Sequence, residues 1–199
     1  MTLKTTTWKD RNVDNLERTL QVAQEKGMKA PSLVNIGPGG SVHFLAASLP
    51  VGPTASLSRK EKFIRVFESF IRKTGLFRLS TVEPTEVLRV FSPLEPSSIA
   101  VFDREPKVLR AVDRLKKEGA ITVPLETGIC DLQKSPTGAS ADIVVALNII
   151  ARTSDRSKTL NNILDSVKPG GLICVNIEEA PEGFAKKGKC VFERVVRGG

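Results

Sequence analysis

The sequence predicts a doubly wound α/β fold: a mostly parallel sheet of six or seven strands with helices on both faces. Three observations carry that expectation. The apolar runs 33–36, 99–102 and 141–147 have the near-continuous hydrophobicity of strands covered on both sides. Between them lie stretches with helical spacing, such as Val108, Leu109, Val112 and Leu115. Glycines stand where apolar runs give way to loops, above all in Ser32-Leu33-Val34-Asn35-Ile36-Gly37-Pro38-Gly39-Gly40-Ser41.

That stretch reads as strand, tight loop and helix start. A buried strand delivers its last residues to the carboxyl edge of the sheet, where glycines let the backbone turn sharply and approach a ligand. The free N–H groups and positive dipole end of the helix that follows suit an anionic group, phosphate or carboxylate. A dinucleotide fingerprint would need Gly-x-Gly-x-x-Gly, and Val42 occupies the third glycine's position.

Before this loop, residues 10–27 read as a helix. Asp10 or Asn12 can cap it, Val13, Leu16, Leu20 and Ala23 share one face, and Gly27 provides a left-handed stop. It is read as a cover over the sheet or a lid over a ligand. After the loop, residues 42–49 are expected to form a first crossover helix closed by Pro50, with the lone His43 near its start. His43 is either a general base or a plain helix residue; no partner at a recognisable spacing orients its ring.

The stretch between Gly37 and Asp103 exceeds the single crossover helix that a βαβ unit needs by roughly 40 residues. Two helices are expected in it. Ser58-Arg59-Lys60-Glu61 has the form of a capping box before Phe63, Val66, Phe67, Phe70 and Ile71, with Gly75 as the stop. The second runs over 84–91, Pro84 in its first turn and Val87, Leu88 and Phe91 on one side. Phe63, Phe67, Phe70, Phe77 and Phe91, out of nine phenylalanines, give this insertion a packed interior. Arg59, Lys60, Lys62, Arg65, Arg72, Lys73 and Arg78 form either a basic docking face or an ordinary solvated face.

Downstream, Asp103-Arg104-Glu105-Pro106 opens a helix that Gly119 ends, and a third strand is expected near 120–123. Residues 156–167 read as a helix with Leu160, Ile163, Leu164 and Val167 on its core side. Lys168-Pro169-Gly170-Gly171 reads as a turn and 172–177 as the fifth strand. Residues 189–195 alternate as a strand should. Glu178, Glu179 and Glu182 lie where the fifth strand reaches the sheet's ligand edge, as a substrate-facing carboxylate group or as solvated loop residues.

Three of these segments together carry a resemblance. The glycine loop, the acid ending Ile99-Ala100-Val101-Phe102-Asp103, and Asp165-Ser166-Val167-Lys168-Pro169-Gly170-Gly171-Leu172-Ile173-Cys174-Val175 resemble the class I S-adenosylmethionine-dependent methyltransferases over about residues 33–175. Asn35 stands where that family usually has an acid, and Ser41 where it has a third glycine. The resemblance implies methyl transfer from S-adenosyl-L-methionine, with S-adenosyl-L-homocysteine as product. It implies that Asn35, Gly37, Pro38, Gly39, Gly40 and Ser41 meet the methionyl and ribose portions. Asp103 and Arg104 would lie at the ribose. Cys130, Asp131 and Leu132, in a segment Thr127-Gly128-Ile129-Cys130-Asp131-Leu132 that resembles the family's adenine contact, would lie at the base, with Asp131 receiving the amino group. An ordinary loop-capping Asp is the other reading of Asp131. Asn148, at the end of the fourth strand, would meet the methionyl part or the substrate. Attack on a sulfonium-bound carbon needs alignment and a dry pocket more than acid or base groups, so no catalytic residue need be visible. The acceptor is a small molecule, a protein or RNA. Two rivals share the architecture: an NAD(P)-dependent oxidoreductase, and a non-catalytic module that docks RNA or protein through its basic insertion.

Composition bounds the rest. At 199 residues, 40% hydrophobic and 26% charged, the chain fits one domain, with an N-terminal covering helix over 1–30 and the insertion over 50–97. No apolar run reaches the roughly 18 residues of a membrane helix, and a cytoplasmic enzyme without a membrane partner is expected. Cys130, Cys174 and Cys190 read as buried thiols, and with a single histidine no metal site is expected. The formal charge of +8 admits a nucleic-acid partner without requiring one.

Overall fold

The computed structural model describes residues 8–39, 59, 82–147 and 149–196. They form a seven-stranded sheet in the order β3-β2-β1-β4-β5-β7-β6. Its strands are β1 (Ser32–Ile36), β2 (Ser98–Asp103), β3 (Leu125–Ile129), β4 (Ala141–Ala146), β5 (Val167–Val175), β6 (Phe184–Gly188) and β7 (Val191–Arg194). The first five run parallel, and β7 pairs antiparallel with β5 and with β6. Both carboxyl-terminal strands are therefore present, which completes the expected sheet.

Because successive side chains of a strand point to opposite faces, the buried strands feed two cores. Leu33, Ile99, Val101, Ile143, Val145 and Leu172 face one side, where helices α1 (Trp8–Glu25), α2 (Pro84–Phe91) and α3 (Pro106–Lys117) cover them. Val34, Ala100, Phe102, Val144 and Ile173 face the other, covered by α4 (Arg156–Leu164) with Leu160, Ile163 and Leu164. None of the described helices is long and apolar enough to cross a membrane.

α1 begins earlier than its apolar stripe suggested. Asp10 and Asn12, expected as caps, lie inside the helix, and Asn12 is buried. Leu16 and Ala23 are fully buried, and Gly27 at φ 67° ends the run as expected. Lys26 pairs with Glu193, tying α1 to β7. α2 has the expected bounds, with Pro84 in its first turn, and Val87, Val90 and Phe91 enter the same core as α1. The expected helices over 42–49 and 58–75, with His43 and the basic residues of the insertion other than Arg59, lie outside the described residues.

Three expectations need correction. The third strand is Leu125–Ile129, not 120–123. Residues 120–123 form loop, and Ile121 looked strand-like because it is buried in the core from that loop. α4 stops at Leu164, and Val167, expected on its core face, already pairs with Ala141 as the first residue of β5. Nor do Lys168-Pro169-Gly170-Gly171 precede the fifth strand. They lie within it as a bulge, since Val167 pairs with Ala141 and Leu172 with Ile143. Gly170 has φ 74°, and a Cβ on Gly171 would stand 2.9 Å from the carbonyl oxygens of Asp142 and Lys168.

Below this bulge, at the amino edge of the sheet, Asp142 joins three strands. One carboxylate oxygen accepts from the Ser32 N–H at 2.8 Å and the Ser32 hydroxyl at 2.6 Å, and Lys168 Nζ lies 3.0 Å away. Burial alone would raise the carboxyl's pKa; the hydrogen bonds from Ser32 and Lys168 outweigh it and hold the group below its ordinary range.

Candidate functional site

The strand order reverses between β1, whose neighbours β2 and β3 lie outward on one side, and β4, whose neighbour β5 lies on the other. In open parallel sheets such a switch point leaves a crevice at the carboxyl ends of the strands. Here the crevice is a cleft of about 340 Å³, within the range of small-molecule sites.

β1 delivers Ile36 to its rim, and the chain turns at once. Gly37 has φ 58° and Gly39 φ 69°, conformations that side chains disfavour. The Gly37 N–H donates to the Phe102 carbonyl at 2.7 Å, fixing the bend against the end of β2. A Cβ on Gly37 would lie 2.9 Å from Ile149 Cδ1, so the loop after β4 closes in because nothing projects there.

β2 ends in Asp103, which is 8% exposed. One carboxylate oxygen accepts from the Glu105 N–H at 2.9 Å and the other from the Gly39 N–H at 3.3 Å. Burial pushes this carboxyl upward, partly offset by those two backbone N–H groups and by the Arg104 charge. Each oxygen keeps acceptor capacity for a further donor.

β3 brings the third corner. Gly128 leaves room for the Phe102 ring, whose Cε1 would lie 2.5 Å from a Cβ there, and the Cys130 N–H donates to the Asp103 carbonyl at 3.1 Å. Asp131 then caps its own turn, one oxygen accepting from the Gln133 N–H at 3.1 Å. Its neighbour Leu132 is buried, and the Leu132 carbonyl accepts from Asn162 of α4 at 2.7 Å. Burial and then the Asp131 charge raise the Cys130 thiol.

The fold thus brings Gly37, Pro38, Gly39, Asp103, Arg104, Cys130, Asp131 and Leu132 to one cleft. Asn35 stands outside its lining: 1% exposed, it donates its amide to the Val82 carbonyl at 3.1 Å. Ile129, expected as a neighbour of the base, is 69% exposed and does not line the cleft either. Gly40, Ser41 and Asn148 lie outside the described residues.

No protein-family model matches the chain, and no curated protein does. Among solved structures it is similar to the N-methyltransferase NodS from Bradyrhizobium japonicum in complex with S-adenosylhomocysteine, at 14% identity and TM-score 0.47, covering 87% of this chain and 63% of that one. A methyltransferase described as putative, from Bacillus halodurans, shows 13% identity and TM-score 0.49 over 85% of this chain and 53% of its own. The YcgJ protein from Bacillus subtilis shows 14% identity and TM-score 0.45, over 81% and 49%. The chain thus spans about half to two thirds of the length of these proteins. The fold stands on its own strand order, and what those proteins bind is a property of theirs.

Sequence reasoning missed the opposite wall. Gln133, Arg152 and Thr153 line the cleft, and Gln133 Oε1 accepts from the Ser154 N–H at 3.1 Å and hydroxyl at 2.6 Å, joining the loop after β3 to the loop after β4. No spacing signals that contact. Glu105 and Lys107, at the start of α3, were legible in principle, since they follow the acid of β2 within one turn.

The arrangement offers open backbone at a glycine bend, whose Gly37 and Gly39 N–H groups are bound within the fold, and a buried carboxylate next to it. Beyond these lie a second carboxylate with apolar neighbours Phe102, Leu132 and Leu147. A buried carboxylate with spare acceptor capacity can take hydrogen bonds from paired hydroxyls, and the same cleft has an apolar lining beside it.

Proposed function

We propose that the chain is an S-adenosyl-L-methionine-dependent methyltransferase. The observation that carries this reading is the convergence of the Gly37–Gly39 bend, Asp103 and Asp131 on one cleft from the ends of three adjacent strands. Asp103 accepts the ribose hydroxyls, and Asp131 accepts the adenine amino group while Cys130 and Leu132 pack against the base. Gly37 and Gly39 leave their backbone open to the methionyl portion. When bound, the cofactor supplies an electrophilic methyl carbon on a sulfonium. The protein's part is to align an acceptor with that carbon and exclude water. Its acceptor comes from among small molecules, proteins and RNA, and the chain works as a single domain with its 1–30 cover and 50–97 insertion.

Calorimetric titration of the full chain with S-adenosylhomocysteine, NADH and NADPH tests this. Saturable binding of the first alone is expected. Preference for a nicotinamide nucleotide would replace the reading with a reductase, and binding of none would leave a module that only docks.

A further inference from the structure

A second cavity, of about 690 Å³, adjoins the cleft. The end of β4 and the chain after it line both: Leu147, Ile149 and Arg152 face the first, Ala146, Ile150 and Ala151 the second.

The second cavity is unlike the first in chemistry. α1 brings Asn12 and Asn15 to it, 2% and 7% exposed, positions where a helix facing a core normally carries apolar side chains. Asn15 Nδ2 donates to Oδ1 of Asn176, just past β5, at 3.4 Å. Burying amides such as Asn12 and Asn15 is costly unless they are hydrogen-bonded, and with the half-buried Asn176 they line the cavity with groups that can both donate and accept.

Around the amides stand Arg18, Lys186 and Lys189, with Asp14 and Glu178 as the acidic members of the wall. The exposed Lys186 donates its ammonium to the Glu178 carbonyl. Cys190 lines the cavity with these cations: burial pushes its thiol up, and the charges of Lys189, Lys186 and Arg18 only partly offset that.

We propose that this cavity binds a small polar acceptor bearing a carboxylate or phosphate, its anionic group held by Arg18 and Lys189 and its polar body by Asn12, Asn15 and Asn176. Its role as methyl acceptor rests on the function proposed above; the anion site does not. In the transfer, a lone pair of the acceptor forms the bond to the methyl carbon. The carbon–sulfur pair stays on sulfur, and the acceptor's proton leaves to water.

The test is a titration of ¹⁵N-labelled full-length protein with inorganic pyrophosphate, followed through the side-chain amide signals of Asn12, Asn15 and Asn176. Saturable movement is expected, weakened about tenfold in Arg18→Gln/Lys189→Gln, which removes charge-assisted hydrogen bonds. Glu178→Gln, which removes a repelling charge, should bind several-fold more tightly. Signals that stay still, or an affinity that neither variant changes, would overturn the anion site. A single-stranded RNA that moves the same signals at lower concentration than pyrophosphate would replace the small molecule with nucleic acid. S-adenosylhomocysteine, added separately, is read at the Gly37, Gly39 and Asp131 backbone signals. If it moves none while pyrophosphate still binds, the methyl-transfer reading falls and the anion site stands.

Discussion

The Asn35 amide donates to the Val82 carbonyl at 3.1 Å from a site 1% exposed, so β1 holds the segment that leads into α2 through one buried hydrogen bond. The partner is an acceptor, so the residue at 35 must be a donor. An acid, usual at this position in the family the loop resembles, would set oxygen against oxygen.

Asn35→Asp should therefore destabilise the fold, by about 1–3 kcal/mol, the cost of an unsatisfied buried polar group. Urea unfolding followed by circular dichroism measures it. An unchanged midpoint would mean that Val82 finds another donor.

Asp103→Ala should weaken S-adenosylhomocysteine binding by about 1.5–3 kcal/mol, as for hydrogen bonds to a charged group. Calorimetry reads the loss directly. Affinity equal to that of the unaltered chain would take Asp103 out of the ligand's reach.

Gly37→Ala places a Cβ at φ 58° and 2.9 Å from Ile149 Cδ1. Left-handed strain costs on the order of 1–3 kcal/mol, and relief by moving the loop after β4 would disturb both cavities. A lower thermal midpoint together with weaker S-adenosylhomocysteine binding is expected; full retention of both would show that the bend tolerates a side chain.

Asp142 supplies a pH dependence whose sign follows from its lowered pKa. Its carboxylate stabilises the fold above the unfolded value of about 4. That contribution is lost as pH falls through the lower folded value. Lys168 and Asp142 are 42% and 36% exposed, so it amounts to less than about 1 kcal/mol. Lys168→Met should flatten the acid limb of stability measured between about pH 5 and 2 and leave the site's affinity unchanged. An acid limb as steep as before would contradict the assignment.

Cys130 and Cys174 should separate by reactivity. Cys174 is wholly buried and its pKa is pushed up to about 12, so it should resist a thiol reagent at neutral pH. Cys130, half-buried at the cleft, should react faster than Cys174, and saturating S-adenosylhomocysteine should slow it several-fold. Peptide mass spectrometry assigns the sites. Equal rates with and without the ligand would place it elsewhere.

The sequence by itself determined the strands that are mostly apolar, β1, β2 and β4, because burial on both faces leaves little room for polar alternation. It also determined α2 and α3, whose prolines and periodic apolar residues mark start and face, and the glycine bend with its acids at 103 and 131. β3 escaped because Leu-Glu-Thr-Gly-Ile is mostly polar and half-exposed near the edge of the sheet, and takes its form from pairing with β2. The bulge in β5 escaped because Pro-Gly-Gly signals a turn, and only pairing with β4 keeps it in register. Tertiary structure alone decided that Gln133 and Arg152 face one cleft with Gly37, that Asn35 turns away to Val82, and that Asn12, Asn15 and Asn176 share a cavity. Such contacts join residues distant in the chain, and no local propensity or spacing encodes them.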